Sequence, residues 1–327
     1  MQLIRFIKDW TLPVAITTGI VVYLFFALIP ALDNFACAAA PVFDALLPMF
    51  MFLVLFVTFC KVDYRKLRPV AWHWSIALFQ VLTVLAVVAV IVVFQLSGNS
   101  LILAEALLTC IICPCASAAA VVTQKLGGNL EEMTTYTFLS NLITALLIPL
   151  FFPIIDQSAD IHFMQAFLMI LNKVFTVLVV PMILAYIVKH YAKWLCRRII
   201  SIKDLSYYLW GCSLLIVSGT TMKNILHAQT TIGFLLLISL SGLLLCLFQF
   251  GCGRAIGSHY RQTVNAGQAL GQKNTAFAIW IACAYLTPLS SVGPGCYILW
   301  QNIINSWEIW IAQKNTTMSK KKVLTCN

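Results

Sequence analysis

The chain has 327 residues, of which 61% are hydrophobic and only 10% are charged, and its mean hydropathy is +0.92. Soluble domains are about half apolar and about a quarter charged. A soluble fold would have too few polar residues to cover this many apolar side chains. The composition therefore excludes a soluble enzyme or nucleic-acid-binding domain and predicts a protein that is nearly all membrane domain.

Ten apolar windows follow one another along the chain, most of them near the length of about 20 residues that a membrane-spanning helix needs. These windows, numbered spans 1 to 10, lie at 13–31, 41–60, 72–96, 101–123, 132–155, 164–188, 205–222, 231–252, 263–286 and 292–312. A backbone in lipid must satisfy its own hydrogen bonds, and the apolar runs are continuous rather than alternating. We therefore expect an all-α membrane protein with ten transmembrane helices.

The basic residues predict the orientation of these spans. Eighteen of the 21 Lys and Arg residues fall in the segments that lie on one side if the N-terminus is inside. The positive-inside rule then predicts a plasma-membrane protein (the inner membrane, for a bacterium) with both termini in the cytoplasm. The net charge of +10 is explained by topology and does not indicate a nucleic-acid partner. Lys320, Lys321 and Lys322 are expected to contact anionic lipid.

An even set of ten spans divides into two halves of five, 1–160 and 161–312, followed by a basic cytoplasmic tail at 313–327. Because five is odd, the second half enters the membrane from the opposite side. This predicts two inverted five-helix repeats, a common transporter architecture. Phe79-Gln80 in span 3 and Phe248-Gln249 in span 8 are a matching pair that favours the repeat.

Spans 4 and 9 are each interrupted near the middle. Pro114 removes a backbone hydrogen bond in span 4, and Cys115 and Ser117 follow it. In span 9, residues 265–275 hold six polar side chains and two glycines, Asn265, Gly267, Gln268, Gly271, Gln272, Lys273, Asn274 and Thr275. Matching interruptions in two halves indicate a binding site near the midplane. The alternatives are an ordinary kink at Pro114 and a water-exposed loop at 265–275.

Lys273 is the charge that the windows place nearest the midplane. Burying it costs about 3 kcal/mol on insertion scales, so a functional role is the first hypothesis. The alternative is a lysine that extends to the membrane surface. Acidic residues near span ends are expected to be interfacial: Asp44, Glu105, Glu131, Glu132 and Glu308.

Short motifs occur in a distinctive order along spans 2 to 10. They are Phe56-Val-Thr-Phe-Cys-Lys61, Gln80, Cys113-Pro114, Gly128-Asn129, Pro149, Pro153, Gly271-Gln272-Lys273-Asn274-Thr275, Pro294-Gly295 and Trp300-Gln301-Asn302. Over about residues 45–310 the chain resembles the bile acid:sodium symporter family. The resemblance implies spans 4 and 9 that cross at their breaks, with two sodium sites behind the crossing and an organic anion in front.

The resemblance also implies a secondary transporter that moves a small organic anion by alternating access and needs no cofactor. The candidate substrate and ion-site residues are Lys273, Gln272, Asn274, Thr275, Gln268, Asn265, Gly271, Pro114, Cys115, Ser117, Gln80, Thr137 and Asn302.

The chain departs from the family pattern at the implied sodium sites. Residues without side-chain oxygen stand at several implied ligand positions: Ala119-Ala120 for Ser-Asn, Met133 for a hydroxyl, Ala269 for the shared glutamate and Lys273 for a glutamine. Hard cations need oxygen ligands. We therefore expect sodium coupling to be lost, with the Lys273 ammonium as a built-in cation bonded to Gln80 and to freed carbonyls of span 9. Lys273 is also a candidate carrier of a coupling proton.

Two other functions stay open. Pro114-Cys115 resembles the placement of a cysteine in arsenite permeases, which would make the chain a thiol-dependent oxyanion exporter. Because buried free cysteine is common, a small packing residue is the favoured explanation of Cys115. A non-transporting membrane sensor on the same fold is the other alternative. An enzyme is not expected, because the sequence has no Ser-His-Asp set, paired carboxylates, metal-ligand spacing or phosphate-binding glycine loop.

Overall fold

The computed structural model describes residues 10–29, 33–155, 163–202 and 204–325, and over these residues it contains helices and no β-strand. The helices are α1 (Thr11–Leu28), α2 (Asp33–Lys61), α3 (Ala71–Val93), α4 (Gly98–Ile112), α5 (Ala119–Lys125), α6 (Leu130–Ile155), α7 (Phe163–Val174), α8 (Val180–Tyr191), α9 (Lys193–Ser201), α10 (Leu205–Leu226), α11 (Ile232–Ser258), α12 (Thr263–Gly271), α13 (Thr275–Tyr285) and α14 (Val292–Thr325). Short turns of 3₁₀ helix lie at Tyr64–Lys66 and Pro288–Ser291, and one π-helical turn lies at Phe175–Val179.

The expected all-α class is confirmed for the described residues. Five helical segments there are long and apolar enough to cross a membrane: Thr11–Leu28, Pro41–Lys61, Ala71–Val93, Leu130–Ile155 and Ile232–Ser258. A sixth crossing is possible for Lys193–Ser201 with Leu205–Lys223, two helices that meet at 69°. Helices occupy all ten predicted windows. Windows 4 and 9 are each divided between two shorter helices.

Two helical regions were not expected. The segment between spans 6 and 7 contains α9, whose Trp194 is 65% exposed and whose Cys196 is buried. A search for continuous apolar runs misses such an amphipathic helix, because its charged and apolar residues alternate at helical spacing. The backbone of the predicted tail continues α14 as far as Thr325.

The packing fixes the two halves of span 9 against their neighbours. α11 lies along α12 and α14, and α10 lies along α1 and α2. At Gly253 of α11 a Cβ atom would stand 2.5 Å from the carbonyl oxygen of Ala266, so only glycine allows this approach to α12. Buried apolar clusters lie around both breaks. One contains Cys115, Ala119 and Ala269, and the other contains Ile112, Cys113 and Phe277.

Candidate functional site

The two breaks are joined by backbone hydrogen bonds. The amide of Ala116 donates to the Gln272 carbonyl at 2.9 Å, and the amide of Asn274 donates to the Pro114 carbonyl at 2.9 Å. Cys115 and Lys273 therefore face each other in a single antiparallel bridge. Each break supplies partners for the backbone groups that the other leaves free, which is how irregular backbone is tolerated at membrane depth. Pro114 thus marks a true interruption and not an ordinary kink.

The polar residues of span 9 lie inside the protein. Lys273 has no exposed surface, and Asn265, Gln268 and Gln272 are each 1% exposed. Asn274 is partly buried. The structure therefore excludes a water-exposed loop at 265–275 and also excludes a Lys273 side chain that reaches the membrane surface.

The Lys273 ammonium lies at the C-terminal end of α4. Its Nζ atom donates to the carbonyl oxygens of Ile111 at 3.1 Å and Cys113 at 3.3 Å. The last carbonyls of a helix have no partner within the helix and form the negative end of its dipole. A cation is the most favourable group at this position. Among the described residues, no carboxylate lies within ion-pair distance of this amine.

Two further side chains complete the cap on α4. Gln80 Nε2 lies 3.1, 3.3 and 3.2 Å from the carbonyl oxygens of Ile111, Ile112 and Cys113. The Thr144 hydroxyl donates to Ile112 at 2.8 Å. Every carbonyl in this group of three therefore has at least one donor.

The expected bond between Lys273 and Gln80, and those between the ammonium and span 9 carbonyls, are wrong. Both side chains present N–H donors to the same span 4 carbonyls, and two donors cannot bond each other. The antiparallel pairing of the breaks projects the Lys273 side chain across the crossing toward α4. The remaining Gln80 oxygen accepts from the Tyr136 hydroxyl at 3.5 Å.

The break in span 9 is capped by residues that were not chosen from the sequence as site candidates. The Tyr297 hydroxyl donates to the Gly271 carbonyl at 2.8 Å and accepts from Gln249 Nε2 at 2.9 Å. Gln301 pairs with the Lys273 backbone, accepting from its amide at 2.8 Å and donating to its carbonyl at 3.2 Å. The matching dipeptides at 79–80 and 248–249 were the one sequence signal for Gln249.

Asn302 does not join this cap. Its amide nitrogen donates to the Ile298 carbonyl of its own helix at 2.7 Å. In the Trp300-Gln301-Asn302 motif it is Gln301 that reaches the break, because helical geometry turns adjacent side chains to different faces.

Other candidate residues position the ends of the half-helices. The Asn274 side chain caps α13 by accepting from the Phe277 amide at 3.2 Å, and Thr275 is the first residue of α13. Gly271 lies directly beneath the Phe250 ring, which leaves no space for a Cβ atom. Asn265 exchanges two hydrogen bonds with the Asn129 backbone, at 2.7 and 2.9 Å.

The remaining candidates lie in or beside the span 4 break. The Cys115 amide donates to the Ser140 hydroxyl at 3.1 Å, and the Cys115 side chain is 1% exposed. Ser117 is buried within the turn that leads to α5. Thr137 donates its hydroxyl proton to the Met133 carbonyl at 3.0 Å.

The implied sodium positions offer poor ligands. Ala119, Ala120 and Ala269 are buried and present methyl groups. Gln80 presents its N–H₂ group to the α4 carbonyls, and the Lys273 ammonium already lies on two of those oxygens. Because sodium needs several oxygen ligands together, these residues do not fit a bound sodium ion at the crossing.

A family model described as Sodium Bile acid symporter family matches residues 48–250, which is 203 of the 327 residues. The chain belongs to this family. It is therefore a membrane transporter of the bile acid symporter type. The match covers Gln80 and Pro114 but ends before the span 9 break, so Lys273 lies outside it. A comparison with curated proteins gives no match.

Proposed function

We propose that this protein is a secondary transporter that moves a small organic anion across the plasma membrane by alternating access, without sodium coupling. In this proposal ten spans form two inverted halves, 1–160 and 161–312, and both termini are cytoplasmic. The observation that carries the proposal is the Lys273 ammonium on the free carbonyls of α4, at 3.1 and 3.3 Å. In this proposal, the attached ammonium takes the role that the family resemblance implies for a mobile sodium ion.

The inverted repeat is supported by the equivalent roles of two glutamines. Gln80 in span 3 covers the carbonyls at the end of α4. Gln249 in span 8 supports the Tyr297 hydroxyl, which covers the last carbonyl of α12. The two preceding phenylalanines, Phe79 and Phe248, lie with ring centroids 6.1 Å apart. Spans 3 and 8 thus serve the two breaks in corresponding ways.

An anionic substrate is supported by the charge at the crossing. Lys273 precedes α13, which begins at Thr275, by two residues, so a cationic side chain and a helix N-terminus both belong to this break. Helix N-termini at broken spans favour anionic groups. The family name adds bile acids to the substrate candidates, together with smaller organic acids.

Flux measurements in proteoliposomes test the proposal. The probes are radiolabelled cholate and a radiolabelled small carboxylate, each with sodium, potassium or choline chloride outside. We expect uptake of at least one probe at equal rates in the three salts. Uptake that stops in sodium-free buffer would overturn the proposal. Specific binding of a probe with no flux in any salt would indicate the membrane sensor instead.

A substrate-free experiment tests the role of Lys273 directly. A ligand that binds the folded state must stabilise it. Because the proposal has no bound sodium, the melting temperature of the purified protein is expected to be equal in the three salts. The double variant Ala269→Glu/Lys273→Gln returns two oxygen-bearing side chains to the crossing. We expect sodium to stabilise that variant selectively. Lys223→Gln, on an exposed residue, is the control that should show no salt preference.

A further inference from the structure

A polar cluster on α11, α12 and α14 lies beside the first half of span 9. It consists of Arg254, Gln268, Asn305 and Glu308, and we call it the Glu308 cluster. Gln268 Nε2 donates to Asn305 Oδ1 and to Glu308 Oε2, both at 3.0 Å. The other carboxylate oxygen, Glu308 Oε1, is ion-paired with Arg254. One carboxylate therefore ties three helices together.

The carboxylate of Glu308 is buried within the protein. Its side chain is 8% exposed, whereas the Arg254 side chain is 42% exposed. The cluster thus has one exposed end and one end inside the protein. In the proposed topology this open end faces the cytoplasm.

Polar atoms without partners lie on α12, in the span 9 break and on α14. Four buried side-chain atoms have no hydrogen bond: Gln268 Oε1, Gln272 Oε1, Asn302 Oδ1 and Asn305 Nδ2. Leaving such a group unpaired costs about 1–3 kcal/mol. Gln268 and Gln272 are four residues apart and share one face of the chain as it approaches Lys273. These polar groups extend from the Glu308 cluster toward the break.

We propose that Glu308 is the site at which this transporter binds a coupling proton, and that the proton releases α12. The inference rests on the proposed function and names its coupling ion. In the ionised state Glu308 holds Gln268 of α12 and Arg254 of α11 at the same time. A proton from cytoplasmic water neutralises the carboxylate, the Arg254 guanidinium keeps its charge and turns to water, and α12 loses its charge-assisted bond. The half-helix is then free to move relative to α14.

Few other charges can influence Glu308. On α14 and the elements packed against it at this end, the acidic, basic and histidine side chains among the described residues lie at four places. Arg254 on α11 contacts Glu308. His259 at the end of α11 contacts the Ala255 carbonyl of its own helix, and Lys314 on α14 lies over the Trp310 ring. The fourth is the pair of Lys125 on α5 with Asp204 before α10. That pair is closed on itself at 2.7 Å. α12 presents only the neutral Gln268. Protonation of Glu308 therefore acts mainly on its two direct partners, Arg254 and Gln268.

Amide hydrogen exchange of the purified protein tests the release of α12 on protonation of Glu308, and it needs no known substrate. After correction for the intrinsic pH dependence of exchange, amides of residues 263–271 are expected to exchange severalfold faster at pH 5 than at pH 8. Glu308→Gln, which mimics the protonated carboxylate, should exchange fast at both pH values. Arg254→Gln leaves the Gln268 bond in place but removes the cation that favours the ionised carboxylate, so its exchange should become fast at a higher pH than that of wild type. Equal protection of residues 263–271 in wild type and Glu308→Gln at pH 8 would overturn the inference.

Glu105→Gln is the matched control, because Glu105 is a 1% exposed carboxylate that accepts from the Thr287 amide, outside the Glu308 cluster. It should keep the pH response of α12. In proteoliposomes, Glu308→Gln should lose cholate accumulation driven by a pH gradient and keep cholate exchange. If wild type works without sodium but Glu308→Gln still responds to the pH gradient, the inference fails and the proposed function stands. A sodium requirement in wild type would defeat the proposed function, whatever α12 does.

Discussion

The breaks in spans 4 and 9 end their first half-helices in similar ways but satisfy the free carbonyls by different means. At the end of α4, three carbonyls receive the Lys273 ammonium, the Gln80 amide and the Thr144 hydroxyl. At the end of α12, the Gly271 carbonyl receives only the neutral Tyr297 hydroxyl. The carbonyls of the first break thus bind a positive charge, whereas the Gly271 carbonyl of the second break binds a neutral hydroxyl.

The difference shows how the two halves of the protein depend on each other. Lys273 belongs to the second break, yet its side chain caps the first. Removing either break would leave buried backbone groups of the other without partners, at about 1–3 kcal/mol each. In the proposed function this attached charge takes the role of a mobile ion, and we therefore expect transport without sodium.

The largest effect is expected from Lys273→Met, which removes the charge and keeps the length of the side chain. Gln80 still reaches the carbonyls, so the protein should fold, as buried charges can often be replaced by apolar groups of similar volume. Uptake of the best probe should fall at least about tenfold, since a charge-assisted hydrogen bond contributes about 1.5–3 kcal/mol. Proteoliposome uptake measures this, with Lys223→Met as the control. Undiminished uptake would remove Lys273 from the mechanism.

Tyr297→Phe tests the neutral cap of the second break. The change leaves the Gly271 carbonyl and the Gln249 amide without their partner, so the free energy of unfolding should fall by about 2 kcal/mol. Equilibrium unfolding in mixed micelles measures the change. Tyr208→Phe, on a 38% exposed side chain, should alter it little. An unaffected Tyr297→Phe would mean that water replaces the hydroxyl at Gly271.

Comparison of Gln80→Leu with Gln249→Leu tests the two supporting glutamines. Gln80 covers three carbonyls directly, whereas Gln249 acts through Tyr297. We expect losses of about 1 kcal/mol for Gln80→Leu and less for Gln249→Leu. Adding Lys273→Met should make the Gln80→Leu loss larger than additive, because both donors to Ile111 and Cys113 are then gone. Strict additivity would argue against a shared cap.

Cys115→Ser is expected to have the smallest effect. The hydrogen bonds that the thiol donates are long, 3.7 Å to the Ala116 carbonyl and 4.0 Å to that of Gln268. Unfolding free energy should change by less than about 1 kcal/mol, and organic anion uptake should be kept. Loss of arsenite efflux in this variant, with no uptake of organic anions by wild type, would favour the oxyanion exporter.

Much of the crossing was visible in the sequence because its signals are local. A proline in an apolar window and a run of polar residues in another each mark a break, whatever the rest of the fold does. The position of Glu308 was not visible in this way. It lies near a span end, and only the neighbouring Arg254 and Gln268 show that the carboxylate is enclosed.

Composition and spacing by themselves determined the membrane class, the helical windows and the two breaks, and the family resemblance indicated the missing oxygen ligands at positions such as Ala269. Only the tertiary structure decided which carbonyls Lys273 covers and that Tyr297 and Gln301 close the second break. The physical reason is distance along the chain. Ile111 and Lys273 are 162 residues apart in sequence, and the 3.1 Å contact between them depends on the packing of every helix in between.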